Sequence, residues 1–164
     1  MSPLTYLGLG SNLGDREAAI RGAIVRLGAL GVVTSIAPLY ETEPWGVLDQ
    51  PRFLNSACAL ETDLPPLGLL DAIKRIEREM GRTPTVRNGP RAIDIDILLY
   101  DDLQIALPRL TVPHIGLLRR ATALVPLADI AGTVRHPCTS RTIADHLAAL
   151  QPVSGIAPYP PGLP

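Results

Sequence analysis

Residues 93–100 read Ile-Asp-Ile-Asp-Ile-Leu-Leu-Tyr. The alternation has period two, so Ile93, Ile95, Ile97 and Leu99 are expected on one face of a strand and Asp94, Asp96, Leu98 and Tyr100 on the other. Upstream, Leu67, Leu70, Ile73, Ile76, Glu77 and Met80 recur at helical spacing, after a Pro65-Pro66 start and before Gly81, a residue suited to the left-handed turn that ends helices. Two β-like runs precede that helix, Phe53 to Thr62 and Val32 to Tyr40, separated by a Pro- and Gly-bearing loop from Glu41 to Arg52. Before them come a helix from about Arg16 to Leu30, with Asp15 as N-cap, and a short buried strand over 4–10. Strand, helix, strand, strand, helix, strand is the split βαβ order of a ferredoxin-like α+β sheet with helices packed on it. Downstream, the pattern predicts a β-like Ile105 to Val112, a short helix near Leu117 to Leu124 and a helix from Thr142 to Leu150. One domain over 1–151 is expected, followed by a tail over 152–164 that carries five prolines.

Composition narrows the possible functions. With 164 residues, 46% of them apolar and a net charge of −1, the chain suits a single domain and lacks the overall basic charge of a nucleic-acid binder. Fourteen of the fifteen basic residues are Arg, and Lys74 is the only Lys, so no Walker-type phosphate loop exists. Gly8-Leu9-Gly10-Ser11-Asn12-Leu13-Gly14 fails the dinucleotide fingerprint, because its third Gly falls one residue late. Cys58 and Cys138 lie eighty positions apart with no partners at metal-ligand spacing. The start of the sequence shows no signal-peptide pattern, and no apolar run reaches membrane-spanning length. A cytoplasmic monomer with no membrane or nucleic-acid partner is expected.

Asp94 and Asp96 project from one strand face, with Cα atoms roughly 6–7 Å apart at about 3.3 Å rise per residue. A pair of this kind can hold Mg²⁺, phosphate oxygens completing the shell; on its own it equally fits a solvated edge-strand face. The neighbourhood favours the first reading. From Lys74 to Arg91 six basic residues stand against Glu77 and Glu79. Arg75 and Arg78 suit salt bridging on the helix surface, whereas Arg82, Arg87 and Arg91 fall in a loop, where forked guanidinium groups suit phosphate. Only six aromatics exist, and Tyr40, Trp45 and Phe53 flank or occupy the long loop. Asn55 shares a strand face with Phe53, so an aromatic plane and an amide edge point together, as a flat heteroaromatic ring requires. His114 reads as structural or as a neutral donor, and His136 and His146 as structural or exposed.

Five blocks of sequence resemble the 6-hydroxymethyl-7,8-dihydropterin pyrophosphokinases of folate biosynthesis: Gly10-Ser11-Asn12-Leu13, Tyr40-Glu41-Thr42-Glu43-Pro44, Gln50 to Asn55, Gly89-Pro90-Arg91-Ala92-Ile93-Asp94-Ile95-Asp96-Ile97-Leu98 and Arg109 to His114. The resemblance implies transfer of the terminal diphosphate of ATP to the pterin hydroxymethyl group, with AMP released. It implies two Mg²⁺ ions on Asp94 and Asp96, with Arg82 and Arg91 completing the catalytic set. Lys74, Glu77, Arg82, Arg87, Arg91, Ile97, Arg109, Thr111, His114 and Arg120 are then expected around ATP. Thr42, Pro44, Trp45, Phe53, Asn55, Asn88 and Thr122 are expected around the pterin. Two positions depart from the family pattern: Asn88 stands where an aromatic often precedes Gly-Pro-Arg, and Thr122 where a Phe often closes the second pterin face. The competing readings are a Mg²⁺-dependent transferase with another acceptor, which would not require Phe53 and Asn55, and an RNA-binding module, which would want exposed strand aromatics that this sequence lacks.

Overall fold

A computed structural model describes residues 1–160; the last four positions of the expected tail, 161–164, lie outside the described residues. The chain order is β1 (Leu4–Ser11), α1 (Arg16–Leu27), β2 (Val32–Ile36), β3 (Tyr40–Thr42), β4 (Phe53–Glu61), α2 (Pro66–Glu79) and β5 (Asp94–Tyr100). A hairpin follows, β6 (Ile105–Leu107) and β7 (Leu110–Val112), then α3 (Ala121–Ala131), α4 (Ile143–Leu150) and β8 (Ile156–Pro158). The main sheet runs β5-β1-β4-β3-β8, and β2 pairs with the other half of β4. Every pairing is antiparallel, which is the expected split βαβ architecture.

Two apolar layers enclose the sheet. On one face Ile20, Ala23 and Leu27 of α1 and Leu69, Ile73 and Ile76 of α2 pack on Leu7, Leu9, Leu54, Cys58, Leu60, Ile95 and Ile97. On the other, Leu124, Leu127 and Ala131 of α3 and Ile143 of α4 cover Tyr6, Ala59, Leu98 and Leu99. Asp15 caps α1 by accepting from the Ala18 N–H at 3.0 Å. Thr142 caps α4 in a reciprocal capping box with Asp145. Gly81, just past α2, has φ +92°, the left-handed turn foreseen for it.

Several expectations change. Strict alternation along β5 fails at its end: the register against β1 steps from Leu7↔Ile97 to Tyr6↔Leu99, leaving Leu98 as the extra residue of a bulge. Leu99 therefore joins Leu98 in the α3–α4 layer, and Tyr100 turns to the α1–α2 side. The run from Val32 to Tyr40 is two strands, because the pairing with β4 breaks at Pro38, which has no N–H to give it, just after the Ala37 N–H donates to the Ala57 carbonyl at 2.8 Å. The helix near Leu117 to Leu124 is a single 3₁₀ turn, Leu117–Arg119, then an extended Arg120 and a longer α3. Burial of Leu124, Leu127 and Ala131 outweighs the hydrogen bond that Pro126 cannot make inside α3. Arg75 and Arg78 make no ion pair among the described residues: Asp71 and Glu79, at helical spacing from Arg75, pair instead with Arg109 and Arg26, and Arg78 has no carboxylate three or four residues away.

Candidate active site

α3 and α4 cover only half of their sheet face, and the uncovered half is the floor of a cleft. Gly8 and Gly10 of β1 pair with Asp96 and Asp94 of β5, and Gly10 also pairs with Asn55 of β4. Gly10 is required by the close approach, since a Cβ there would lie 2.8 Å from Asn55 Oδ1. The Asn55 amide donates to Thr42 Oγ1 at 2.6 Å, and Thr42 is wholly buried, so the amide edge is fixed before anything binds.

Around the floor, basic side chains hold carboxylates. Arg82 donates to Glu77 and, at 2.8 Å, to Asp94 Oδ1. Helix and loop are therefore joined by ion pairs through Arg82. Glu77 Oε2 also accepts the Ile95 N–H at 3.1 Å, between the two Asp residues. Lys74 Nζ lies 3.0 Å from Glu77 Oε1 but is not aligned as a hydrogen bond, leaving that buried oxygen without one. Arg91 Nη2 stands 3.5 Å from Asp94 Oδ2, and its buried Nε has no acceptor.

Asp96 is different. Its nearest basic group is His114, with Nε2 3.9 Å from Oδ2. Burial in the cleft floor and the neighbouring Asp94 and Glu77 carboxylates push its pKa up to about 7, and the charges of Lys74 and Arg91 offset only part of that push. The side chain still exposes 39% of its surface to the cleft, so water screens part of that effect. His114 is held below the usual imidazole range by burial and by Arg120. Its Nδ1 accepts the Gly116 N–H at 3.0 Å, which assigns the proton of the neutral ring to Nε2, on the Asp96 side.

The cleft has two lobes with a common wall of Asn88, Arg91, Asp94, Asp96, His114 and Arg120. One is a slot of about 70 Å³ between Thr42, Glu43, Trp45, Phe53, Asn55 and Thr122. The other, about 590 Å³, is walled by Lys74, Glu77, Arg78, Arg82 and the loop through Arg87. Guanidinium groups lie on the aromatics of the slot: Arg91 is 5.1 Å from the Phe53 ring centroid and Arg120 5.3 Å from that of Trp45. Loops on either side are stitched together. Asn12 donates to Gln50 Oε1 and the Pro51 carbonyl and accepts the Arg91 N–H, while Gln50 donates to the Asn88 carbonyl at 2.7 Å.

Most of the residues singled out from the sequence thus converge. Four do not line either lobe. Ile97 is buried in the α1–α2 core, Arg109 pairs with Asp71 on the surface, Thr111 is exposed on β7, and Pro44 stays outside the slot. Gly8, Gly10, Glu43 and Ala123 line the slot without having been foreseen as site residues, and Asn12 and Gln50 organise it. Gly8, Gly10 and Asn12 lie in the Gly-Leu-Gly-Ser-Asn stretch, and Glu43 and Gln50 in two of the blocks that carry the resemblance, whereas nothing in the sequence marks Ala123.

The family model for 7,8-dihydro-6-hydroxymethylpterin-pyrophosphokinase (HPPK) matches residues 6–132. A 2-amino-4-hydroxy-6-hydroxymethyldihydropteridine pyrophosphokinase of Pseudomonas aeruginosa is 44% identical over 94% of this chain and 96% of its own length. A folic acid synthesis protein of Schizosaccharomyces pombe is 43% identical over 95% of this chain, which spans 21% of that longer protein. A crystal structure of wild-type Plasmodium falciparum HPPK-DHPS with pteroate superposes with a TM-score of 0.74 at 19% identity, covering 91% of this chain and 42% of that one, a likeness of fold.

Proposed function

Because the chain belongs to the 7,8-dihydro-6-hydroxymethylpterin-pyrophosphokinase family, we propose that it moves the terminal diphosphate of ATP to the hydroxymethyl oxygen of 6-hydroxymethyl-7,8-dihydropterin and releases AMP. The observation that carries this reading is the juxtaposition of an aromatic–amide slot with an Arg-walled lobe across the Asp94–Asp96 pair. A transferase with a different acceptor would not need a preset Asn55 amide beside Phe53.

Phe53 takes one face of the pterin and Asn55 its polar edge; Thr42 fixes the amide, as its hydroxyl already does. Lys74, Glu77, Arg87, His114 and Arg120 surround the nucleotide, and Asn88 and Thr122 border the ring. Arg109, Thr111, Ile97 and Pro44 would have to act through backbone or after movement. The donor set fits a hard divalent cation: two carboxylates face the cleft, one lacking a close cationic partner, and among the described residues no cluster of three His, Cys, Asp or Glu offers a complete shell. Asp94 and Asp96 would hold two Mg²⁺ ions, whose charge would neutralise that of the phosphates.

The rest is positioning. Attack by the pterin hydroxyl on the β-phosphorus requires the two substrates in line, and the shared wall sets that line. Arg82 and Arg91, now on Asp94 and Phe53, exchange those partners for phosphate oxygens as charge spreads over them. Neutral His114 donates from Nε2 into the cleft.

Free Cys58 and Cys138 agree with a reducing cytoplasm, and the reaction needs no second copy of the chain. Among the described residues no helix is long and apolar enough to cross a membrane. Incubation with ATP, Mg²⁺ and the hydroxymethyl pterin should yield AMP and the pterin diphosphate in equal amounts; ADP as the nucleotide product, or no turnover, overturns the reading.

A further inference from the structure

The Pro-rich C-terminal segment has no part in the reading above, yet it joins the sheet next to the slot. Strand β8 pairs with β3 in the register Tyr40↔Pro158, Glu41↔Ala157 and Thr42↔Ile156. The ladder continues past both ends: Glu43 N–H donates to the Gly155 carbonyl at 2.8 Å, and Tyr159 N–H to the Leu39 carbonyl at 2.9 Å. Antiparallel pairs alternate between hydrogen-bonded and open, so Glu41–Ala157, midway between those two bonds, is the hydrogen-bonded pair of the strand. Pro158 falls at an open position, where its missing N–H costs nothing.

β3 is a strand of three residues, and its inner edge meets only Phe53, Leu54 and Asn55 of β4. It nevertheless carries Thr42, the hydroxyl that fixes the Asn55 amide, and leads straight into Glu43 and Trp45 of the slot wall. A second anchor sits at the far end of β8. Arg16 reaches across to Glu41 Oε2 at 2.8 Å and to the Arg52 carbonyl at 3.0 Å, gripping both ends of the loop over 43–52. The ring of Tyr159 lies 5.7 Å from that guanidinium. Gly155 turns with φ +71°, and a Cβ there would meet Glu43 Oε2 at 2.9 Å, so Glu43 folds directly over the turn into β8.

From this we infer that residues 155–159 are a strap that positions the pterin slot: by completing the ladder on β3 they hold Thr42, Glu43 and the loop over 43–52 in the geometry the ring requires. The inference rests on the proposed function for the identity of the ring and on the backbone alone for the strap. It assigns the segment to recognition of the acceptor and not of the nucleotide, whose lobe lies beyond the shared wall.

Ala157→Pro deletes one ladder N–H at an exposed site remote from the core; Ala157→Val keeps that N–H and is the control. In the full chain Ala157→Pro should weaken pterin binding, measured by titration with a non-hydrolysable ATP analogue and Mg²⁺ present, by about fivefold, the equivalent of one net hydrogen bond. Affinity for the analogue itself should stay within about twofold, and Ala157→Val should match the parent. Amide exchange over 41–50 should quicken in Ala157→Pro without any ligand. Equal loss of both affinities, or unchanged exchange and pterin affinity in a folded Ala157→Pro protein, overturns the strap. A parent chain that makes no AMP overturns the proposed function instead, and the exchange measurement still decides the strap.

Discussion

Asp96 concentrates the electrostatic cost of the cleft. Its carboxyl is pushed up to about 7 by its place in the floor and by Asp94 and Glu77, so the folded chain binds a proton there that the unfolded chain releases near the ordinary value of 3.8. A raised acid favours folding below its unfolded pKa, and that contribution falls away as pH climbs toward the folded value. Metal-free protein should therefore lose thermal stability between about pH 4 and 7, and Asp96→Asn should lack that part of the loss; superimposable melting profiles for the two would contradict it. Under the proposed function the same substitution removes a charged donor for the metal while Ile95 and Ile97 stay buried. Turnover should drop by about 10²-fold or more with the fold intact, as AMP release at saturating Mg²⁺ will report. Thr122 poses the other question at this scale. It borders the slot that Phe53 also lines, and Arg120 lies over Trp45 there. Thr122→Phe should tighten the pterin by about two- to tenfold through an added aromatic face worth roughly 0.5–1.5 kcal/mol, with nucleotide affinity unmoved. Unchanged or weaker binding by the folded variant assigns the second face to Trp45.

Elements differ in how openly the sequence announces them. The period-two run of β5, the apolar runs of β1 and β4, which are buried on both faces, and the helical spacing of α1 and α2 announced those elements, because burial imposes the pattern directly. The bulge at Leu98 did not show, since Ile97, Leu98, Leu99 and Tyr100 are all apolar or aromatic and either phase buries well. Likewise β8 is three residues among prolines, and only the edge of β3 gives it a partner. Site residues on strands were legible because position on a strand fixes direction. Those on loops were legible only as composition, which is why the ion pairs of Arg82 and the Asn12–Gln50–Asn88 stitching emerge from the fold alone. The loop from Gly81 to Pro90 is exposed from Thr83 to Arg87, and one internal backbone bond, Gly89 to Val86, braces it. Amide exchange over 83–89 should slow when a non-hydrolysable ATP analogue and Mg²⁺ bind, because Arg82 and Arg87 gain phosphate partners; unchanged exchange means that the loop does not close.

For the molecule as a whole, the half-covered sheet decides what the two lobes can do to each other. The apolar layers lock β1, β4 and β5 into one rigid floor, so the lobes communicate through side chains of the common wall. Arg91 is the member that reaches both: its guanidinium lies over Phe53 in one lobe and near Asp94 beside the other. Because Arg91 lies over Phe53, a pterin would have to displace it under the proposed function. Phosphates in the larger lobe would draw Arg91 away and uncover the ring, so the nucleotide should strengthen pterin binding, and by linkage the pterin should strengthen nucleotide binding equally. A cation–π contact of roughly 0.5–2 kcal/mol bounds that coupling at about two- to thirtyfold. Arg91→Ala should abolish it from one side: pterin affinity without nucleotide should rise toward the value the parent shows with it, while turnover falls because the phosphates lose a positive partner. Calorimetric titration of pterin into both proteins, with and without the analogue, measures this directly. If Arg91→Ala leaves nucleotide-free pterin affinity where it was, the guanidinium on Phe53 is not the gate, and the coupling runs through the Gln50–Asn88 contact between the loops.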